Sequence, residues 1–248
     1  MTGAGRTTGR RLFLELLKQE GVKVLFGNPG TTELPLMEAL AGEDDLRYVL
    51  ALQESVVMAM ADGYARATRG IAACNVHVAP GLGNAMGMLF DAQKAGSPIL
   101  VTAGQQAQGF GITEPNLYAE LPEIAAHMTK YAVEARSVRD LPVLLHRAVK
   151  TALAPPSGPV FVSLPVDVMN AEADVALGAP SRIAPHGPAD PAEVARAAAL
   201  MAGCERPVII AGDAVDQCGG AAALIAFAEA LGAPVYLEGE TSTLPFPP

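Results

Sequence analysis

Two rhythms of apolar residues alternate along this chain. In RRLFLELLKQEG (10–21) they recur three and four apart, the spacing of one helix face, whereas in VKVLFG (22–27) they run together and stop at a glycine. The same alternation predicts helices over 33–41, 55–68, 83–96 and 141–153, and strands over 46–52, 71–79, 97–104 and 159–165. Asp140 stands where a helix N-cap belongs, and residues 105–120, rich in Gln, Gly and Pro, read as a long loop. Apolar strands that return through helices predict an α/β fold, a mostly parallel sheet with helices on both faces.

The rhythm fades after Asn170 and returns at Pro191. Three parts are expected: a first domain over 1–170, a linker over 171–190 rich in Ala, Pro, Gly and Asp, and a second α/β domain over 191–248. That second part holds helices over 191–203 and 219–232 and strands over 206–212 and 234–239. Two strands cannot close a doubly wound sheet, so the second domain reads as incomplete.

Composition narrows the function. The net charge of −9, with no clustered stripe of Lys or Arg, argues against a nucleic-acid partner. No apolar run approaches the roughly 20 residues of a membrane span, and MTGAGRTTGRRLF lacks the apolar core of a secretory signal. Cys74, Cys204 and Cys218 are widely spaced and odd in number, which fits a reducing, cytoplasmic setting. The histidines at 77, 127, 146 and 186 share no ligand spacing with them, so no metal site is expected in this chain.

Candidate chemistry sits at three strand-to-helix junctions, where open α/β sheets place their ligands: GNPGTTE (27–33), LQE (52–54) and HVAPGLGNAMG (77–87). In the first, Asn28, Pro29 and Gly30 shape a tight turn ahead of Thr31 and Thr32, and Glu33 would complement a helix dipole. In the second, Glu54 precedes a helix whose early inner face is Val, Met and Ala, and an acid buried there without a partner is costly. In the third, GLGNAMG has the look of a phosphate-binding turn, but its GxGxxxG spacing and its place after the third strand fit a dinucleotide site poorly. His77 ends a strand at the same sheet edge as the other two junctions.

Together GNPGTTELP, ALQESVVMAMADGYARATRG, NVHVAPGLGNAMGML and SPILVTAGQQ resemble the N-terminal, pyrimidine-binding domain of thiamine-diphosphate-dependent enzymes, above all the benzoylformate decarboxylases. The likeness runs from about residue 10 to 245. It implies a non-oxidative decarboxylase of 2-oxo acids that uses thiamine diphosphate and Mg²⁺. In that family the acid matching Glu54 hydrogen-bonds a ring nitrogen of the cofactor's aminopyrimidine, and Pro29 and Gly30 match the turn against that ring. His77 matches a histidine that moves protons around the substrate carbonyl, and Thr31 matches a serine that holds the substrate carboxylate.

The family holds the diphosphate and Mg²⁺ through a GDG motif and a later Asn. Here Gly212-Asp213 is followed by Ala214, and Asn170 is the last asparagine. The resemblance therefore implies an incomplete site, inactive in this chain alone and completed at the subunit interface of a homodimer or homotetramer. An acetolactate-synthase-like carboligase and a non-catalytic binding module that kept the fold are the alternatives.

Overall fold

The computed structural model describes residues 6–184, 187–239, 241, 243 and 246, so His186 lies outside the described residues. Contacts divide the chain into two units, Met1–Ile183 and Ala184–Pro248.

The first unit runs β1 (Thr7–Thr8), α1 (Gly9–Gln19), β2 (Val24–Gly27), α2 (Leu34–Leu40), β3 (Arg47–Leu50), α3 (Glu54–Thr68), β4 (Ala72–Val76), α4 (Val78–Lys94), β5 (Ile99–Gln105), α5 (Leu121–Ala126), β6 (Ala132–Glu134), α6 (Leu141–Leu153), β7 (Val160–Pro165), α7 (Val166–Asn170) and β8 (Glu172–Ala173). Six strands form one sheet in the order β3-β2-β4-β5-β7-β6, and each pairing is parallel. This is the expected parallel α/β architecture. β1 and β8 form a separate antiparallel pair, Thr7 opposite Ala173.

The sheet is buried on both faces, as a parallel sheet must be when crossover helices cover it. On one face α1, α2 and α6 contribute Leu12, Phe13, Leu16, Leu17, Leu36, Leu145 and Val149. On the other, α3, α4 and α5 contribute Val57, Met58, Ala61, Leu82, Ala85, Leu89 and Leu121. Every residue of β4, β5 and β7 is buried, and this explains their uninterrupted apolar sequences.

Three boundaries differ from the sequence reading. Asp140 does not cap α6: its side chain makes no capping bond, and Ser137, three residues earlier, accepts from the Arg139 N–H at the start of a 3₁₀ turn that leads into the helix. The expected strand over 71–79 stops at Val76, and α4 begins at Val78 instead of residue 83. Gly81, Gly83 and Gly87 are therefore helical, so GLGNAMG forms no phosphate-cradling loop. Short α5 and β6, between residues 121 and 134, carry too few residues for a clear period.

Beyond β8, the chain up to Arg182 is tied to the first unit. His146 on α6 hydrogen-bonds the Glu20 carboxylate through Nδ1 and donates from Nε2 to the Leu177 carbonyl at 2.8 Å. Arg182 pairs with the same carboxylate at 2.5 Å. Glu20 is buried, and the Arg182 guanidinium together with the His146 hydrogen bond compensates its desolvation.

In the second unit, α8 (Pro191–Ala202), α9 (Asp213–Gln217) and α10 (Ala221–Leu231) accompany β9 (Ile209–Ala211) and β10 (Val235–Leu237). The two strands pair in parallel. Asp190 caps α8 by accepting from the Ala192 N–H at 2.8 Å.

A candidate active site at three strand ends

Strand order locates the site. The chain places β3 on one side of β2 and then β4 on the other, so the connections after β2 and β4 diverge, and a crevice opens at their C-terminal ends. The three junctions singled out in the sequence follow β2, β3 and β4, and they meet there.

Glu54 is the first residue of α3, and Gln53 caps that helix by accepting from the Ser55 and Val56 N–H groups. The carboxylate is buried and held by one amide on each oxygen: Asn28 Nδ2 donates to Oε1 and Asn84 Nδ2 to Oε2, both at 3.0 Å. Gly81 on α4 leaves space beside it, since a Cβ there would lie 3.2 Å from Oε1. All three junctions thus converge on one carboxylate. Both partners are neutral, in contrast to Glu20 and Asp62, the latter paired with Arg66. An acid bonded in this way keeps its orientation without a resident cation to neutralise it.

The second centre is Glu33. The sequence suggested an acid complementing a helix dipole, but the side chain is 2 % exposed and accepts four hydrogen bonds. Oε2 takes the Gly30 N–H at 2.9 Å and His77 Nδ1 at 2.7 Å. Oε1 takes the Gly104 N–H at 2.7 Å and the Thr32 hydroxyl at 2.9 Å. Because Glu33 accepts backbone donors on both oxygens, the His77 proton that faces it belongs to Nδ1. Thr32 Oγ1 lies 3.2 Å from the same nitrogen as a secondary acceptor. Nε2 has no partner among the described residues, and 22 % of the ring is exposed. His77 therefore presents a free ring nitrogen on a side chain fixed from behind.

Two backbone features shape this centre. Gly30 packs against the imidazole, where no side chain would fit. Val78, the residue after His77, adopts φ +40° and is fully buried. A left-handed β-branched residue is a genuine outlier and stores about 1–3 kcal/mol of strain. It turns the chain from strand to helix at once, and the turn closes through Gly81 N–H to the His77 carbonyl at 2.8 Å.

Thr31 opens the 3₁₀ turn Thr31–Glu33 and is exposed; its neighbour Thr32 is the buried threonine bonded to Glu33 and His77. Pro29 and Gly30 lie between Asn28 and that turn, both partly exposed. Tyr48 on β3 brings its hydroxyl beside Gly27, and burial, with the charge of Glu33 adding to it, pushes that phenol well above its ordinary range.

Residues 7–111 match the family described as thiamine pyrophosphate enzyme, N-terminal TPP binding domain. Over this span the chain is similar to the N-terminal domains of thiamine pyrophosphate enzymes. The span contains all three junctions. Over 236 residues the chain is 33 % identical to a benzoylformate decarboxylase of Pseudomonas aeruginosa, covering 94 % of this chain and 44 % of that protein. It is 30 % identical over 233 residues to an acetolactate synthase large subunit of Lactococcus lactis, covering 92 % and 40 %. A thiamine diphosphate-dependent 4-hydroxybenzoylformate decarboxylase of Rhodococcus jostii superposes with a TM-score of 0.89 at 33 % identity, over 97 % of this chain and 46 % of that one. The chain thus spans less than half the length of these relatives.

Among the described residues, no group of three or more His, Cys, Asp and Glu side chains is placed to hold a metal, and no helix is long and apolar enough to cross a membrane.

Proposed function

We propose that this chain is the N-terminal portion of a thiamine-diphosphate-dependent, non-oxidative 2-oxo acid decarboxylase of the benzoylformate decarboxylase type. The observation that carries the reading is the buried Glu54 carboxylate, oriented by two neutral amides, at the same sheet edge as a histidine with a free Nε2. An acid so placed suits a nitrogen heterocycle, which donates to it or shares a proton with it. Glu54, with the Pro29–Gly30 turn, would hold the aminopyrimidine end of the cofactor.

When bound, the cofactor supplies an electron sink for the carbon that loses carbon dioxide. The chain's own residues do the rest. His77, with Nδ1 anchored on Glu33, takes or returns a proton at Nε2 beside the substrate carbonyl. Thr31, exposed at the turn, offers its hydroxyl to the substrate carboxylate. By the resemblance, the diphosphate and its Mg²⁺ would be held by a separate domain, with the active site completed at the interface of a cytoplasmic homo-oligomer.

The test uses the chain joined to its diphosphate-binding half. Glu54→Gln there should lower turnover of a 2-oxo acid by about 10²–10⁴-fold, the range of a lost acid–base group. Unchanged turnover would count against the mechanism, and 2-oxo acid decarboxylation by the 248-residue chain alone would refute the division of the site. A second reading, an acetolactate-synthase-like carboligase, is favoured by the Lactococcus lactis relative. Product analysis with pyruvate, free aldehyde against acetolactate, separates the two.

A further inference from the structure

Four described residues other than glycine have positive φ: Arg69, Val78, Glu114 and Leu117. Three are exposed. Arg69 ends α3, where a left-handed residue terminates many helices, and Glu114 and Leu117 lie in the 105–120 loop. Val78 alone is buried, alone is β-branched, and directly follows a candidate site residue.

The surroundings hold the unusual dihedral in place. The Val78 side chain belongs to the core beneath α3 and α4, together with Val76, Leu82 and Ala85. Gly81 closes the turn so tightly that a Cβ on it would lie 3.3 Å from the Val76 carbonyl carbon. The consequence falls on His77. With β4 ending at Val76 and α4 beginning at Val78, His77 is held between two packed elements that a single left-handed step joins.

We propose that Val78 is a positioning residue for His77: its left-handed backbone, pinned by the buried side chain, aims the imidazole so that Nδ1 meets Glu33 and Nε2 stays free. This builds on the proton-transfer role proposed for His77, but its test does not depend on that role.

The experiment follows the Nδ1 proton of His77 by NMR in the ¹⁵N-histidine-labelled chain. A proton held by a carboxylate exchanges slowly enough to give a downfield resonance, and Glu33→Gln assigns it by its disappearance. His146, whose two ring nitrogens face the Glu20 carboxylate and the Leu177 carbonyl, holds a hydrogen-bonded ring proton of its own and supplies an internal control. Val78→Gly accepts positive φ without penalty and should keep the His77 resonance. Val78→Pro fixes φ near −65°, as the first turn of a helix tolerates, and should lose it while the His146 resonance and the helical circular dichroism stay unchanged.

A residue that merely fills the core would lower the melting temperature in both variants and leave the resonance in both. Retention of the His77 proton in the folded proline variant therefore overturns the proposal, and so does its loss in the folded glycine variant. Should the proline variant not fold, Val78→Ala takes its place, since alanine disfavours positive φ and lacks the side chain that pins it: loss of the His77 resonance in that folded variant supports the proposal and retention defeats it. The functional reading stands or falls separately, on whether His77→Ala alters turnover in the complete enzyme.

Discussion

Gly30 and His77 are in contact through an atom that is not there: a Cβ on residue 30 would lie 2.4 Å from the imidazole Cε1 and Nδ1. The ring occupies the space a side chain would fill, and the Gly30 N–H bonds the same Glu33 oxygen that His77 meets.

Gly30→Ala should therefore displace His77 from Glu33. In the complete enzyme kcat should fall about 10²–10⁴-fold, the loss expected for a removed proton-transfer group. A crystal structure of the variant with the ring in place would remove the basis of this expectation.

The two neighbouring threonines should behave differently. Thr32→Val leaves Glu33 and His77 short of a buried hydroxyl and should cost about 1–3 kcal/mol by urea denaturation. Thr31→Val alters an exposed side chain and should change stability by less than about 0.5 kcal/mol while, on the proposed function, raising KM for a 2-oxo acid. If both variants lose stability alike, the assignment of the hydroxyls is wrong.

Burial holds the Cys74 thiol above its ordinary value of 9.0. The folded state keeps the proton while the unfolded chain gives it up, so stability is complete below about pH 9 and drains as pH rises, by about 1.4 kcal/mol per pH unit. Urea unfolding at pH 8 and pH 10 should show the loss, and Cys74→Ala should flatten it; an unaltered slope would place the effect elsewhere. In the folded protein a thiol reagent should modify exposed Cys204 and Cys218 and leave Cys74 untouched until unfolding.

Glu20→Ala removes the shared partner of His146 and Arg182. His146 then loses a buried hydrogen-bond partner and the partly exposed Arg182 its ion pair, and the cost should reach about 1–3 kcal/mol. Proteolysis after Arg182 should quicken, because the chain around 178 and 182 loses its ties. A stability change under about 1 kcal/mol would show that this pair holds little.

Much of the first unit was legible from apolar periodicity, because buried parallel strands and amphipathic crossover helices leave distinct patterns. The β4–α4 boundary was not. Val78 is a strand-favouring residue by type, and nothing local signals that a Val will take a left-handed turn. Glu54 and His77 stood out by residue type and by place at strand ends. The role of Glu33 stayed hidden because two of its partners, Gly104 and His77, lie 71 and 44 residues away. Nor does the Thr31-Thr32 pair announce which hydroxyl turns inward, since a 3₁₀ turn sends adjacent side chains in different directions.

The contacts of Gly30, Gly81 and Gly104 bear on how relatives should be compared. At position 104 a Cβ would meet Glu33 Oε1 at 2.2 Å, so this site is specified by missing atoms as much as by reactive ones. A distant homologue could retain each acid and imidazole and still be silenced by one stray methyl. Inventories of reactive side chains would pass such a protein as competent; a census of its glycines would not.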